Sequence, residues 1–256
     1  MLKYVIIMKF RTIIAKLLSC WILNKSARKN FRNFLLYFSI IDYFRFKNQN
    51  FHIISLGNNC LPRVLTTAIK LKPRKIYGEK TCPFDLCVNN DINRITELIN
   101  NDFSDFFVNL KYDNGNWHNE NFVFIHDKNL TLEQFKNRYK NRINNFLYLL
   151  KSDKKLYFIY SNYDENLSNK NDINNLYYAI KTKRENKPFQ LILLISKNIE
   201  GLDESIIQIV NDFKIEDSDW VKRMLNILRN DKYSDYKIIM ENEFKKIIKK
   251  YISAQK

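Results

Sequence analysis

The sequence contains little of what marks several common classes of protein. It has four cysteines in 256 residues and no C-x-x-C pair, which excludes a dense disulfide framework and predicts a reducing compartment. Its four glycines form no Gly-rich phosphate loop, and no D-x-D signature lies at the end of a predicted strand. A glycosyltransferase with an unusual site is therefore the least supported function that we consider.

A long uncharged apolar run is also missing. Lys9, Arg11 and Lys16 interrupt the apolar residues near the N-terminus. A membrane-spanning helix needs about 20 predominantly apolar residues, so we expect neither a signal peptide nor a transmembrane helix. The predicted location is cytoplasmic, with peripheral attachment to the inner face of the membrane.

The positive charge is concentrated in one part of the chain. The formal net charge is +16, and residues 1–50 hold ten basic residues and a single acid. Because no nucleic-acid-binding motif accompanies this excess, we predict an anionic membrane surface as the partner and no nucleic acid. Residues 1–48 form the predicted basic amphipathic segment; the alternative is helices packed on the body. Its membrane-facing cations are predicted to be Lys25, Arg28, Lys29 and Arg32.

Short apolar runs alternate with amphipathic segments across residues 49–256. The predicted strands are 52–56, 121–127, 155–162, 189–196 and 205–213; the predicted helices are 61–71, 91–101, 131–150, 171–186, 217–230 and 234–252. This alternation predicts an α/β domain with a mainly parallel central sheet of about five strands, flanked by helices in a Rossmann-like three-layer arrangement. The N-terminal amphipathic helices precede it.

Two residues suited to nucleophilic chemistry follow predicted strands. Cys60 opens the first helix after strand 52–56, and His126 ends the next strand. Ligands bind at the carboxyl ends of parallel strands, so we expect both at one edge of the sheet. The helix dipole should lower the pKa of the thiol, and the imidazole could take its proton. The inert alternatives are a small core cysteine and a histidine that binds a loop carbonyl.

A catalytic dyad also needs an orienting group and an oxyanion site. Asp127 adjoins His126, but in an extended strand it would point to the opposite face. Asp85, in an irregular segment, is therefore the preferred orienting acid, with Asn162 as another candidate. The backbone around Asn58, Asn59 and Leu61 is the predicted oxyanion site. For Asp85 the alternative is a loop cap.

Metal binding is a weaker interpretation of the same residues. Cys60, Cys82, Cys87 and His126 could supply four ligands, but the C-x4-C spacing falls outside compact zinc hairpins. We predict no metal and no cofactor.

Three segments resemble a bacterial family of domains of unknown function described as papain-like cysteine peptidases. They are "SLGNNCLPRVL", "CPFDL" and "FVFIHD", in the family's order. The resemblance marks Cys60, Pro83, Phe84, Asp85, His126 and Asp127, and Leu86 stands where the family has tryptophan. The N-terminal stretch "LLSCWILNKSARKNFRNFLLYF" separately resembles a leader of bacterial surface-polysaccharide enzymes, which implies a role in glycan assembly near the cytoplasmic face of the inner membrane.

Two hypotheses follow. The first is a cysteine-dependent hydrolase, peptidase or acyl-transfer enzyme acting on a peptide, acyl or glycan substrate, with Cys60 as nucleophile, His126 as base and Asp85 as orienting acid. The second is a non-catalytic, membrane-associated binding or assembly module of a polysaccharide pathway, in which Cys60 only packs.

Overall fold

The computed structural model describes residues 12–89, 91–162, 169–210 and 241–247. The predicted helix 217–230 and most of the predicted helix 234–252 lie outside these ranges. The chain divides into two compact units: residues 1–49 with 73–79, and residues 50–72 with 80–256.

The first unit is built from short helices. Residues 12–19 are helical, and three further elements follow: α1 (Lys25–Tyr37), α2 (Ile40–Lys47) and a 3-10 helix (Lys75–Tyr77). Asn24 caps α1 and Ser39 caps α2 through their side chains, as polar N-cap residues do. The Tyr77 hydroxyl accepts the Ser39 N–H at 2.8 Å, and its ring packs against Phe38 and Phe46. Residues 73–79 thereby become part of this unit.

The second unit contains eight described strands and four described α-helices. The strands are β1 (Phe51–Ser55), β2 (Val88–Asn89), β3 (Lys111–Asp113), β4 (Asn116–His118), β5 (Phe122–Phe124), β6 (Lys155–Asn162), β7 (Phe189–Ile195) and β8 (Ile207–Val210). The helices are α3 (Leu61–Ala68), α4 (Ile92–Asn100), α5 (Leu132–Lys151) and α6 (Lys170–Arg184). Residues 241–247 are also helical.

The strands form two sheets of different type. One is parallel, in the order β1-β6-β7-β8, and the other is antiparallel, in the order β2-β5-β4-β3. The α/β class is therefore confirmed, and among the described residues the parallel sheet has four strands where about five were predicted. Segment 121–127 belongs to the antiparallel sheet: Phe122 and Phe124 are buried while Val123 between them is exposed. Such alternation suits a sheet with one solvated face, and parallel strands need both faces covered.

Apolar side chains cover both faces of the parallel sheet. On one face, β6 and β7 pack with α5 and α6 in a phenylalanine-rich cluster; on the other they pack with α3 and Phe244. Arg184, at the end of α6, is fully buried and donates to the carbonyls of Leu150, Ser152, Lys154 and Pro188 at 2.6–3.0 Å. This guanidinium joins the end of α5 to the starts of β6 and β7.

Candidate functional site

Cys60 is the N-cap residue of α3 and ends a tight turn after β1. Gly57 in this turn has a φ of +32°, and a Cβ there would lie 3.0 Å from the Asn59 carbonyl oxygen and 3.2 Å from that of Phe84. Only glycine accommodates this approach readily. Asn59 Oδ1 accepts the Leu61 N–H at 2.8 Å. The Leu61 N–H, predicted as an oxyanion donor, is therefore already paired within the turn.

The Cys60 thiol is largely enclosed. Burial raises its pKa, although its own backbone N–H and the charge of Arg63 act in the opposite direction. The expected lowering of the pKa by the helix terminus is thus outweighed by desolvation. At neutral pH the resting residue is a thiol rather than a thiolate.

His126 lies in the turn after β5 and is exposed to solvent. His126 therefore does not follow a strand of the parallel sheet, as the sequence predicted, because β5 belongs to the antiparallel sheet. Partial desolvation lowers the pKa of the imidazole; Asp127 opposes this shift, and Arg63 adds to it. The imidazole is therefore neutral at pH 7 and able to accept a proton.

Arg63 is a residue that the sequence interpretation missed. Its charge lowers the pKa of both the Cys60 thiol and the His126 imidazole, so both groups lie within electrostatic reach of one guanidinium. No hydrogen bond joins Cys60 to His126 in the described structure. The sequence did contain a sign of it, because Arg63 lies in the first turn of the helix that Cys60 caps.

Asp85 has partners other than His126. One carboxylate oxygen is 2.7 Å from Lys72 Nζ, and the other accepts the Cys82 N–H at 2.6 Å. Lys72 Nζ also donates to the Ile53 carbonyl at 3.2 Å. Asp85 is fully buried and Lys72 is 2% exposed, so this pair ties the 3-10 helix Pro83–Leu86 to β1.

The remaining predicted residues are mostly structural. The buried Asp127 carboxylate accepts hydrogen bonds from Arg138, Tyr139 and Arg142 on α5. Pro83 opens the 3-10 helix, and the Phe84 ring packs against three other phenylalanines in the core.

Four further predicted residues are two cysteines, at positions 82 and 87, and two asparagines, at positions 58 and 162. Cys82 and Cys87 are buried free thiols, and burial raises the pKa of Cys87 well above its usual value. No cluster of three metal-ligating side chains occurs in the described ranges. The Asn58 carbonyl accepts the Asn89 N–H at 2.9 Å, and Asn162 ends β6 and lines a cavity there.

The described part of the first unit exposes apolar side chains and buries small or charged ones. In helix 12–19 the buried residues are Ala15 and Ser19, whereas the exposed residues are Lys16 and the apolar Ile13, Ile14, Leu17 and Leu18; Trp21 and Leu23 after the helix are exposed as well. In α2 the only buried residue is Asp42, while Ile40, Ile41 and Phe44 are exposed. This is the reverse of an ordinary surface helix, which faces its apolar side inward.

The predicted membrane-facing cations lie together on α1. Lys25, Arg28, Lys29 and Arg32 line one groove with Leu36. Arg28 Nε donates to the Ile22 carbonyl at 2.7 Å, and Arg32 Nε donates to Ser19 Oγ at 2.6 Å. The two arginines thus also hold helix 12–19 against α1. Among the described residues, no helix is long and apolar enough to cross a bilayer.

No family model, curated protein or solved structure matches this chain. The resemblance to the cysteine-peptidase family stays a prediction, and function must be argued from the geometry.

Proposed function

We propose that the protein is a peripheral membrane-binding module that docks on anionic bilayers through its N-terminal unit. The reversed exposure of helix 12–19 and α2 carries this proposal. Trp21 is 72% exposed, Leu23 90% and Ile41 71%, values that leave large apolar surfaces in water. So many large exposed apolar side chains in one unit are typical of an interaction surface.

The neighbouring charges favour a bilayer as the partner. Lys25, Arg28, Lys29 and Arg32 line one groove with Leu36. The unit has two described acids, Glu79 and Asp42, and Asp42 is 3.1 Å from Arg45. Amphipathic helices bury apolar groups at the headgroup boundary while nearby cations add roughly 1 kcal/mol each on an anionic leaflet. Tryptophan is enriched at that boundary.

Vesicle sedimentation tests this proposal. The protein is mixed with phosphatidylcholine vesicles or with vesicles that also contain phosphatidylglycerol. Leu17→Ser combined with Trp21→Ser should abolish binding to both. Lys25→Gln combined with Lys29→Gln should weaken binding to the anionic vesicles alone, by roughly thirtyfold for two cations at about 1 kcal/mol each.

A matched control removes an exposed leucine from the second unit. Leu132→Ser lies at the start of α5, where the leucine is 45% exposed, and should bind as the native protein does. Native binding by the Leu17→Ser, Trp21→Ser variant would refute the docking surface.

A second candidate function is thiol-dependent hydrolysis or acyl transfer at Cys60. The shared influence of Arg63 on Cys60 and on a neutral His126 favours it. In this candidate, His126 Nδ1 or Nε2 takes the thiol proton as Sγ attacks an acyl carbon, and returns it to the leaving group. Asp85 has no part in it, because both of its oxygens are paired elsewhere.

Alkylation of Cys60 with iodoacetamide as a function of pH tests this candidate. The exposed Cys20 is first replaced by serine, and Cys60→Ser identifies the signal. Activation by His126 predicts a rate inflection near the imidazole pKa that His126→Gln removes. A single inflection above about 8.5, unchanged in His126→Gln, would show an inert thiol.

A further inference from the structure

The first two turns of α1 carry four cations on one face of the helix. Lys25, Arg28, Lys29 and Arg32 recur at intervals of three and four residues, and with Leu36 they line a groove of about 420 Å³. Like charges at this spacing repel each other and destabilise a helix. Their place near the helix N-terminus is also unfavourable, because the helix dipole favours anions there. An anion seated in the groove would relieve both effects.

No carboxylate neutralises these cations in the described part of the first unit. Neither acid of that unit, Asp42 or Glu79, is among the residues that line the groove, and Asp42 is paired with Arg45. The first turn of α1 contains no acid. The groove is therefore complementary to an anion that another molecule supplies.

Hydrogen bonds hold both guanidinium groups of the groove in place. Arg28 Nε donates to the Ile22 carbonyl at 2.7 Å, and its Nη2 donates to the Leu23 carbonyl at 3.3 Å. Arg32 Nε donates to Ser19 Oγ at 2.6 Å, and its two Nη groups have no hydrogen-bond partner among the described residues. Two N–H donors on one edge of a guanidinium match two oxygens of a phosphate. Arg32 thus presents such an edge already oriented, which reduces the entropy lost on binding.

The number of cations favours a phosphate monoester over a phosphodiester. A phosphodiester carries a single negative charge and two free oxygens. A phosphate monoester, like that of phosphoserine, carries about −1.5 to −2 charges at pH 7 and has three strong acceptor oxygens. A groove with four cations can pair with the additional charge and the additional oxygen.

Apolar side chains beside the groove favour a lipid as the source of the phosphate. Arg28 is bonded to the carbonyls of Ile22 and Leu23, and the Leu23 side chain is exposed, as is that of Trp21. Leu36 lines the groove itself. A soluble phosphate ester would leave these apolar surfaces in water, whereas the acyl chains of a lipid would cover them.

From these contacts we infer that the groove on α1 binds the phosphate-monoester head group of a membrane lipid of the phosphatidic acid type. Arg32 holds two phosphate oxygens through its Nη groups, and the other three cations neutralise the remaining charge. This inference rests on the proposed membrane docking and adds to it a preference for one class of head group.

Sedimentation with two kinds of vesicle tests the inference. One kind contains phosphatidylcholine and phosphatidic acid, the other phosphatidylcholine and phosphatidylglycerol, mixed to the same zeta potential so that the diffuse attraction is equal. The native protein should bind the phosphatidic acid vesicles about tenfold more tightly, the size of one additional charge-assisted hydrogen bond. Equal binding to both would overturn the inference and leave membrane docking intact, whereas binding to neither would overturn both.

Three variants separate head-group recognition from general charge and from folding. Arg32→Lys keeps the charge but lacks the two-donor edge, so it should bind both kinds of vesicle equally. Ser19→Ala removes only the acceptor of Arg32 Nε and should keep most of the preference. Lys47→Gln removes an exposed cation at the end of α2, outside the groove, and should weaken both kinds of binding without changing their ratio. A preference that survives Arg32→Lys, or is lost in either of the other variants, would overturn the inference.

Titration with glycerol 3-phosphate distinguishes a lipid from a soluble phosphate ester. This compound has the same phosphate monoester without acyl chains, so it should bind at least tenfold more weakly than the lipid phosphate of the vesicles. Binding as tight as that of the lipid would assign the groove to a soluble ligand and overturn the lipid assignment.

Discussion

Replacing Asp85 by asparagine separates a structural from a catalytic role for this residue. The carboxylate is fully buried and 2.7 Å from Lys72 Nζ, whose side chain is 2% exposed. Asparagine keeps the size of the side chain but leaves a buried ammonium without its counter-ion. Removal of one partner of a buried ion pair costs about 3–5 kcal/mol, a large part of the roughly 5–15 kcal/mol that stabilises a protein.

This loss is large enough to measure by thermal unfolding. For a domain of this size, about 3–5 kcal/mol corresponds to a fall in Tm of roughly 6–20 °C. Circular dichroism or calorimetry of the Asp85→Asn variant should show it. Adding Lys72→Met to Asp85→Asn should recover part of the loss, because no isolated charge remains buried and the asparagine can still accept the Cys82 N–H.

Asp105→Asn is the matched control, since Asp105 pairs at 2.8 Å with Arg94 but its side chain is 36% exposed. A pair of this kind contributes about 0–1 kcal/mol, so its Tm should change little. If the Asp85→Asn variant had the same Tm as the native protein, the Asp85 carboxylate would not be the counter-ion of a buried Lys72 ammonium.

Three other substitutions test the framework around the sites. Arg184→Met should lower Tm by more than ten degrees or prevent folding, because it removes donors from several buried carbonyls at about 1–3 kcal/mol each; calorimetry measures this. Gly57→Ala should destabilise the turn before Cys60, since its methyl would meet the carbonyls of Asn59 and Phe84, and faster alkylation of the thiol would report it. Burial lowers the pKa of His52 from 6.5 to about 4, so the unfolded chain binds a proton that the folded protein does not. Stability should therefore fall as the pH drops from 6.5 to about 4, and His52→Gln should flatten this dependence.

The elements best predicted from the sequence are those with long, regular patterns. The predicted strands 155–162 and 189–196 each contain five consecutive apolar residues, and β6 and β7 lie within one residue of these bounds. The apolar residues of α5 recur with a period of about 3.6 residues, which predicts a helix. Thr131 and Gln134 form a capping box at its start. Patterns of this length indicate the type of secondary structure without knowledge of the tertiary contacts.

The candidate site depended on contacts that no local pattern carries. A short apolar stretch such as 122–124 fits a parallel or an antiparallel strand, and only its neighbours decide. Lys72 and Asp85 are joined through space from two irregular segments, so nothing in either segment indicates the pair. Tertiary structure, through burial, also reversed the predicted effect of the helix terminus on Cys60.

The position of β1 in the parallel sheet has a consequence for how the protein is made. Phe51 pairs with Lys155 and Ser55 with Ile159, so this strand emerges from the ribosome about a hundred residues before its partner. Contacts so distant along the chain form slowly, and an apolar strand awaiting its neighbour is prone to aggregate. β1 can therefore take its place in the sheet only after β6 has been synthesised, so its apolar side chains must avoid other partners until then.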